Sequence, residues 1–131
     1  MNLALTCGTS SAGNNKYCGS GAVSSTHSDV AALLSFDGFI NGFACKAGNV
    51  SGSTFNGEEG VICTLYKDNG TDADGQTTGV SCTTDSTGTC VATINGQITI
   101  SALDSISIRT TGISGSVGAL SGSVDFASTT P

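Results

Sequence analysis

The side chains with the most chemical reach in this chain of 131 residues are six cysteines, one histidine and two short groups of carboxylates. Cys7, Cys18, Cys45, Cys63, Cys82 and Cys90 form an even set without a CxxC pair, and a lone His27 cannot complete a Cys/His zinc site, so metal and dithiol redox readings are weak. Disulfides are the better reading and place the working protein in an oxidising environment outside a cell. Cysteine count alone leaves the pairing open, and free buried cysteines acting as small hydrophobes remain the alternative. His27 sits among Ser24, Ser25, Thr26 and Ser28. A hydroxyl–imidazole nucleophile can be drawn there, but a polar run around a single histidine reads first as an exposed loop. Glu58 and Glu59 are adjacent on a glycine-flanked loop and are expected to face solvent rather than to share acid–base work. Asp68, Asp72 and Asp74 in DNGTDADG offer oxygens to calcium, yet Gly70 stands where an EF-hand loop needs a ligand, so a solvated hairpin tip is expected. No catalytic, cofactor-binding or metal-binding residue is expected, and the chain is not expected to be an enzyme.

Charge narrows the partners. The net charge of −6 leaves Lys16, Lys46, Lys67 and Arg109 as the only basic residues, too scattered to neutralise a run of phosphates, so nucleic acid is not an expected partner. No apolar run approaches a membrane span, and Met1 is not followed by the basic head and long apolar region of a signal peptide.

The elements that must position these residues are strands. Nineteen glycines, one proline and abundant serine and threonine suit many short strands linked by turns, in one domain long enough to bury a core. The clearest stretch is Gln97 to Thr110, where Ile98 and Ile100, then Ile106 and Ile108, alternate with hydroxyl residues. It reads as two strands joined by a tight turn at Ala102-Leu103-Asp104. Val30, Ala32, Leu34 and Phe36 share one parity and predict another strand. After Asp37-Gly38 come Ile40, Phe43 and Cys45, with a parity step that predicts a bulge near Asn41-Gly42. Val61, Cys63 and Leu65 mark a strand leading to an Asn69-Gly70 hairpin, Thr77 to Cys82 another, and Val91 to Ile94 a third that ends at Asn95-Gly96. Leu120, Gly122, Val124 and Phe126 share the last. Residues 1–16 read as an N-terminal arm, and 17–131 as an all-β, antiparallel two-sheet sandwich of about eight strands, for which the jelly roll is one standard arrangement. Cys45 and Cys63 share the parity of their apolar neighbours, and CTTDSTGTC closes a compact turn. The predicted bridges are therefore Cys82–Cys90, Cys45–Cys63 and Cys7–Cys18. The predicted core is Val30, Leu34, Phe36, Phe43, Leu65, Ile98, Ile100, Ile106, Ile108, Val124 and Phe126.

The strings VICTLYKDNG, GVSCTTDSTGTC, INGQITISALDSISIRTTG and GALSGSVDFA resemble, in that order, the C-terminal half of the tumour-necrosis-factor-like jelly rolls of bacteriophage fibres, virion surface proteins and bacterial surface filaments, and Tyr17 to Lys46 resembles their opening strands more loosely. The likeness covers most of the chain beyond about residue 17. It departs at Leu103, where those domains carry glycine, and at Gly122, where they tend to carry a large aromatic. The resemblance implies a jelly roll that assembles as a homotrimer. Together with disulfides and no signal peptide, it leads to the expectation of a phage capsid decoration or cement subunit at the virion surface, made in the cytoplasm and working after lysis. Its partner would be the major capsid protein or another virion component, contacted through the arm residues Met1, Asn2, Leu3, Ala4 and Leu5, with Leu120 to Phe126 a candidate subunit contact. Two alternatives stand beside it: a receptor-binding fibre tip holding host glycan in the loops Ala47 to Gly60 and Asp68 to Gly75, and a secreted adhesin or filament subunit.

Overall fold

Alternation of small β-branched residues with serine and threonine resolves into strands in the computed structural model, which describes residues 2–7, 14–48, 59–68, 75–94, 96–112 and 120–129. The elements are β1 (Asn2–Thr6), β2 (Lys16–Cys18), β3 (Val23–Ser24), α1 (His27–Val30), β4 (Ala32–Leu33), β5 (Gly38–Ala47), β6 (Ile62–Asp68), β7 (Gln76–Thr83), β8 (Thr89–Ala92), β9 (Ile98–Ile100), β10 (Ser105–Thr111) and β11 (Leu120–Ser128). They form two antiparallel sheets. The first has the order β1-β11-β5-β8, with β9 also on β5, and the second β3-β2-β10-β6-β7, with β4 also on β10. Inward parities meet in one core that includes Leu5, Ile40, Phe43, Leu65, Ile100, Ile106, Ile108 and Val124. The bulge falls where expected, because the β5–β11 register passes from Gly42 opposite Asp125 to Ile40 opposite Phe126 and skips Asn41.

The cysteines pair as Cys7–Cys18, Cys45–Cys63 and Cys82–Cys90, with no free cysteine. Two bridges join a strand of the first sheet to one of the second, and Cys7, the residue after β1, is tied to β2. Cys45 lies opposite Cys90 across β5–β8 and Cys63 opposite Cys82 across β6–β7, so four half-cystines close a ladder through the core. Each bridge also spans one sheet-to-sheet connection, over 11, 18 and 8 residues. Closing loops of this size contributes about 2.5 to 3 kcal/mol each by restricting the unfolded chain. Gly122 has a packing reason as well. A Cβ there would lie 2.5 Å from Ile108 Cδ1, so its absence lets an isoleucine of one sheet press against the backbone of the other.

Four expectations need correction. The arm read over 1–16 is, over Asn2–Thr6, a sheet strand paired with Asp125 to Ser121 of β11, with Leu5 and Cys7 fully buried. Within the strand its inward parity is carried by Leu3 and Leu5, too short a run to read as a strand. Met1 and residues 8–13 lie outside the described residues. Gln97 to Thr110 is not a paired hairpin: β9 joins β5 in the first sheet and β10 joins β2 and β6 in the second. Both isoleucine sets face the same core from opposite walls, which alternation alone cannot distinguish from pairing. The strand read over Val30 to Phe36 is instead the end of α1, the two-residue β4 and irregular chain. Within it Val30 and Leu34 are buried but Phe36 is 53% exposed, because the chain turns away from the sheet there to start β5. Of the expected turn residues, Asn69, Gly70 and Asn95 lie outside the described residues.

Two measurements check this packing. Ile106→Ala should lower the unfolding free energy by about 2 to 5 kcal/mol, whereas Phe36→Ala should change it by less than about 0.5 kcal/mol. In the turn between Cys82 and Cys90, Asp85 accepts bonds from the Thr87 hydroxyl at 2.6 Å, the Thr87 amide at 2.9 Å and the Thr89 amide at 3.3 Å. These bonds, the Thr87 hydroxyl first, hold its carboxyl below the usual value. A carboxyl depressed on folding stabilises above its unfolded pKa and loses that contribution as pH falls through the folded one. Amide exchange at Thr87 and Thr89 should therefore accelerate as pH falls through the acid range relative to neighbouring amides, and Asp85→Asn should remove that pH dependence.

Candidate functional site

The outward parity of the second sheet gathers most of the chain's unusual side chains. Register places Tyr17 of β2 beside Arg109 of β10, Arg109 beside Thr64 of β6, Ser107 beside Tyr66, and Ser105 beside Asp68. Both tyrosines, the one arginine and, through α1, the one histidine of the sequence thus meet on one face.

His27 was expected in an exposed loop and is instead completely buried. The α1 turn, with Val30 also buried, sets it down on the sheet between Tyr17, Ser107 and Asp68. Its Nε2 contacts Asp68 Oδ2, and its Nδ1 lies 2.6 Å from Ser107 Oγ. Ser105 Oγ donates to the same carboxylate oxygen at 2.8 Å. Nε2 thus faces the carboxylate and Nδ1 the Ser107 hydroxyl, so both ring nitrogens have a polar partner. Gly75, at φ +66°, closes the ring face: a Cβ there would come within 3.0 Å of two imidazole carbons. Asp68 is thereby engaged with His27 and Ser105. Asp72, Asp74 and Glu58 lie outside the described residues, and Glu59 is exposed.

A serine, a histidine and an aspartate in hydrogen-bond sequence invite comparison with a nucleophilic triad. Ser107 and His27, however, have no exposed surface, so the hydroxyl is not presented to a substrate. What the arrangement does is hold the segment from β3 to β4 down on the outer face of the sheet through buried polar bonds.

Next to this knot, Tyr17 packs edge-on against His27 at 5.8 Å and against Tyr66 at 5.3 Å between ring centroids. The Arg109 guanidinium carbon lies 5.7 Å from the Tyr17 centroid and 5.6 Å from that of Tyr66. Its Nη1 donates to Tyr66 Oη at 2.9 Å and its Nη2 to Asn15 Oδ1 at 3.0 Å.

The other expected residues are dispersed. The six cysteines are structural ties, Asn2 to Leu5 lie in β1, and the loop Ala47 to Gly60 is described only at its two ends. On the outer face of the first sheet, a shallow groove of about 340 Å³ runs between Ala44, Lys46, Thr89, Val91, Ser121 and Ser123. The clustering on the second sheet was missed because parity shows which residues of one strand share a face but not which strands lie side by side. Ser105, Ser107 and Arg109, and likewise Thr64, Tyr66 and Asp68, already shared a parity; the register between them was the lacking piece.

Comparison with protein-family models, with curated proteins and with solved structures finds no match to this chain.

Removing His27 leaves buried hydrogen-bonding groups on Asp68 and Ser107 without their partner. His27→Ala should lower the unfolding free energy by about 1 to 3 kcal/mol or more, while the exposed neighbour change Ser28→Ala should be near neutral. Equal midpoints for the two variants in urea would show that the knot does not hold the segment from β3 to β4.

Proposed function

We propose that this protein is a structural subunit of a virus particle, most simply a phage decoration or cement subunit, built on a jelly roll and working as a homotrimer in an oxidising environment. The observation that carries the jelly-roll part is the order of strand partners. Taking the eight principal strands in sequence, the first pairs with the last (β1 with β11), the second with the seventh (β2 with β10), the third with the sixth (β5 with β8) and the fourth with the fifth (β6 with β7). A jelly roll is a folded ribbon, and this order of partners supports that reading, an arrangement used repeatedly in capsid and lectin domains. Three disulfides in a chain of this size support work outside the reducing cytoplasm.

Because Asn2 to Leu5 belong to a strand, attachment to a shell falls to exposed surface rather than to a free arm. Leu33 and Leu103 are 64% and 66% exposed, and with Phe36 they crowd the end of the sandwich opposite the Cys45–Cys63 and Cys82–Cys90 bridges. The segments that carry them are tied by the Leu34 amide to Asp104 O and the Leu103 amide to Leu34 O. Leu103 also has φ +75°, a conformation a leucine adopts only at a cost. Strain and exposure at one apolar residue point to a contact surface, and this end is the proposed shell contact. β11 lies between β1 and β5, so its edges are already paired, and a subunit contact there would use its outer face, Ser121 and Ser123, with Ala44 and the 79% exposed Val91. A second reading, a fibre tip that holds glycan, is favoured by the convergence of Tyr17, Tyr66 and Arg109, in a place other than the loops first considered.

Sedimentation should give three times the 12.9 kDa chain mass, and Val91→Asp should yield a monomer with its unfolding free energy within about 0.5 kcal/mol of the parent. A monomeric parent would remove the assembly on which the decoration reading depends. Leu103→Gly should relieve backbone strain and raise stability by about 1 kcal/mol while weakening binding to purified particles in a pelleting assay. Unchanged pelleting would exclude the apolar end as the shell contact.

A further inference from the structure

Arg109 is held on the outer face of the second sheet without being neutralised. Its two hydrogen-bond acceptors, Tyr66 Oη and Asn15 Oδ1, are uncharged, and among the described residues no carboxylate pairs with it. A guanidinium offers five N–H donors in a planar fork. Its Nε is buried with no hydrogen-bond partner, and Nη1 and Nη2, each with two hydrogens, make one bond apiece, so the fork keeps unused donors. In a chain with ten acidic residues against four basic ones, a half-buried arginine that meets no carboxylate runs against the charge balance. Lys16, adjacent to Tyr17, is in the same position: its Nζ donates to Ser25 Oγ at 2.6 Å, and no described carboxylate pairs with it. Asn15, which caps Nη2, is one of two non-glycine residues at positive φ among the described residues, at φ 57°, and its amide is tied to Thr110 O at 2.7 Å.

The surroundings select the kind of anion. Register on this face puts Ser24 beside Tyr17, Thr77 beside Tyr66 and Ser81 beside Thr64, so the guanidinium is rimmed by hydroxyls and flanked by two aromatic rings. Of the five exposed large hydrophobics, two share this sheet face, Ile62 opposite Thr111 and Leu33 opposite Ser105, and neither lies directly opposite Arg109, whereas a peptide interface would centre on apolar anchors. A planar carboxylate matches the guanidinium fork, and a ring bearing hydroxyls matches the rim. We propose that Arg109, framed by Tyr17 and Tyr66, is the carboxylate-binding centre of a saccharide site, and that its ligands are glycans carrying uronic or sialic acids. Tyr17 and Tyr66 orient the guanidinium, Lys16 adds positive potential, and the His27 ring packs edge-on against Tyr17. The site concerns this face alone and does not depend on where the subunit is mounted.

The test is an NMR titration of the oxidised full chain, following the Arg109 Nε–H and the ring signals of Tyr17 and Tyr66. The probes are methyl glucuronide and the methyl glycoside of N-acetylneuraminic acid, with methyl glucoside and sodium acetate as separate arms. Saturable shifts of these three side chains are expected with at least one acidic sugar, and binding at least about tenfold weaker with the neutral sugar and with acetate. Arg109→Lys, which keeps the charge but loses the fork, should weaken the acidic sugar about tenfold or more. An equal response to methyl glucoside would overturn the carboxylate role, and an equal response to acetate would overturn the saccharide. No response to either acidic sugar would overturn the site as a whole. These ligand comparisons use the parent chain and stand even if the Arg109 variant fails to fold.

Discussion

Covalent ties between the two sheets are the constraint on which the rest of this structure depends. The inner faces are furnished mostly with valine, isoleucine, leucine, alanine and half-cystine, with Phe43 and Phe126 the only buried phenylalanines among the described residues. A core of such small side chains has to offset the chain entropy of many glycines, each of which loses more freedom on folding than any other residue. Three bridges, each straddling a sheet-to-sheet connection, act on the unfolded chain, at about 2.5 to 3 kcal/mol apiece. That is comparable in sum with the net stability of about 5 to 15 kcal/mol typical of a domain. The ladder of Cys90, Cys45, Cys63 and Cys82 also fixes the spacing of the sheets at one end of the sandwich. Ile108 seated over Gly122 brings them close near that ladder.

With the sheets fixed, the outer faces are free to differ. The first sheet presents small residues and a shallow groove, with β1 completing the edge beside β11. On the second, a polar knot is sealed under α1, and a tyrosine–arginine cluster stands next to it, where Tyr17 touches both groups. Burial of His27, Asp68 and Ser107 makes that face rigid, since polar groups removed from water must keep their bonds. Rigidity there holds Tyr17, and through it the guanidinium, in one orientation.

Much of the fold was legible because alternation with a period of two is a local property. Ile106 and Ile108, Cys45 and Cys63, and the skipped Asn41 all declared their faces from sequence alone, and the Cys82–Cys90 and Cys45–Cys63 bridges agree with the same spacing and parities, whereas no parity pointed to Cys7–Cys18. Which strands pair is a non-local property, and there the reading failed. The isoleucines of β9 and β10 suited a hairpin as well as they suited two walls of one core. Leu3 and Leu5 were too short a run to reveal β1. The site was hidden for a related reason. A histidine among hydroxyls looks exposed until a turn of helix lays it against Asp68, a residue 41 positions further along the chain. Only the register of β2, β10 and β6 brings Tyr17, Arg109 and Tyr66 to one place.

The central claim, that inter-sheet disulfides hold this sandwich together, is tested most directly by comparing equilibrium urea unfolding of the oxidised chain with that of the chain reduced and alkylated at all six cysteines. The account predicts that the oxidised chain unfolds in one cooperative transition, and that the reduced chain loses at least about 5 kcal/mol or has no folded baseline. A reduced chain that keeps a cooperative transition at the same midpoint would contradict it and return the burden of stability to the apolar core.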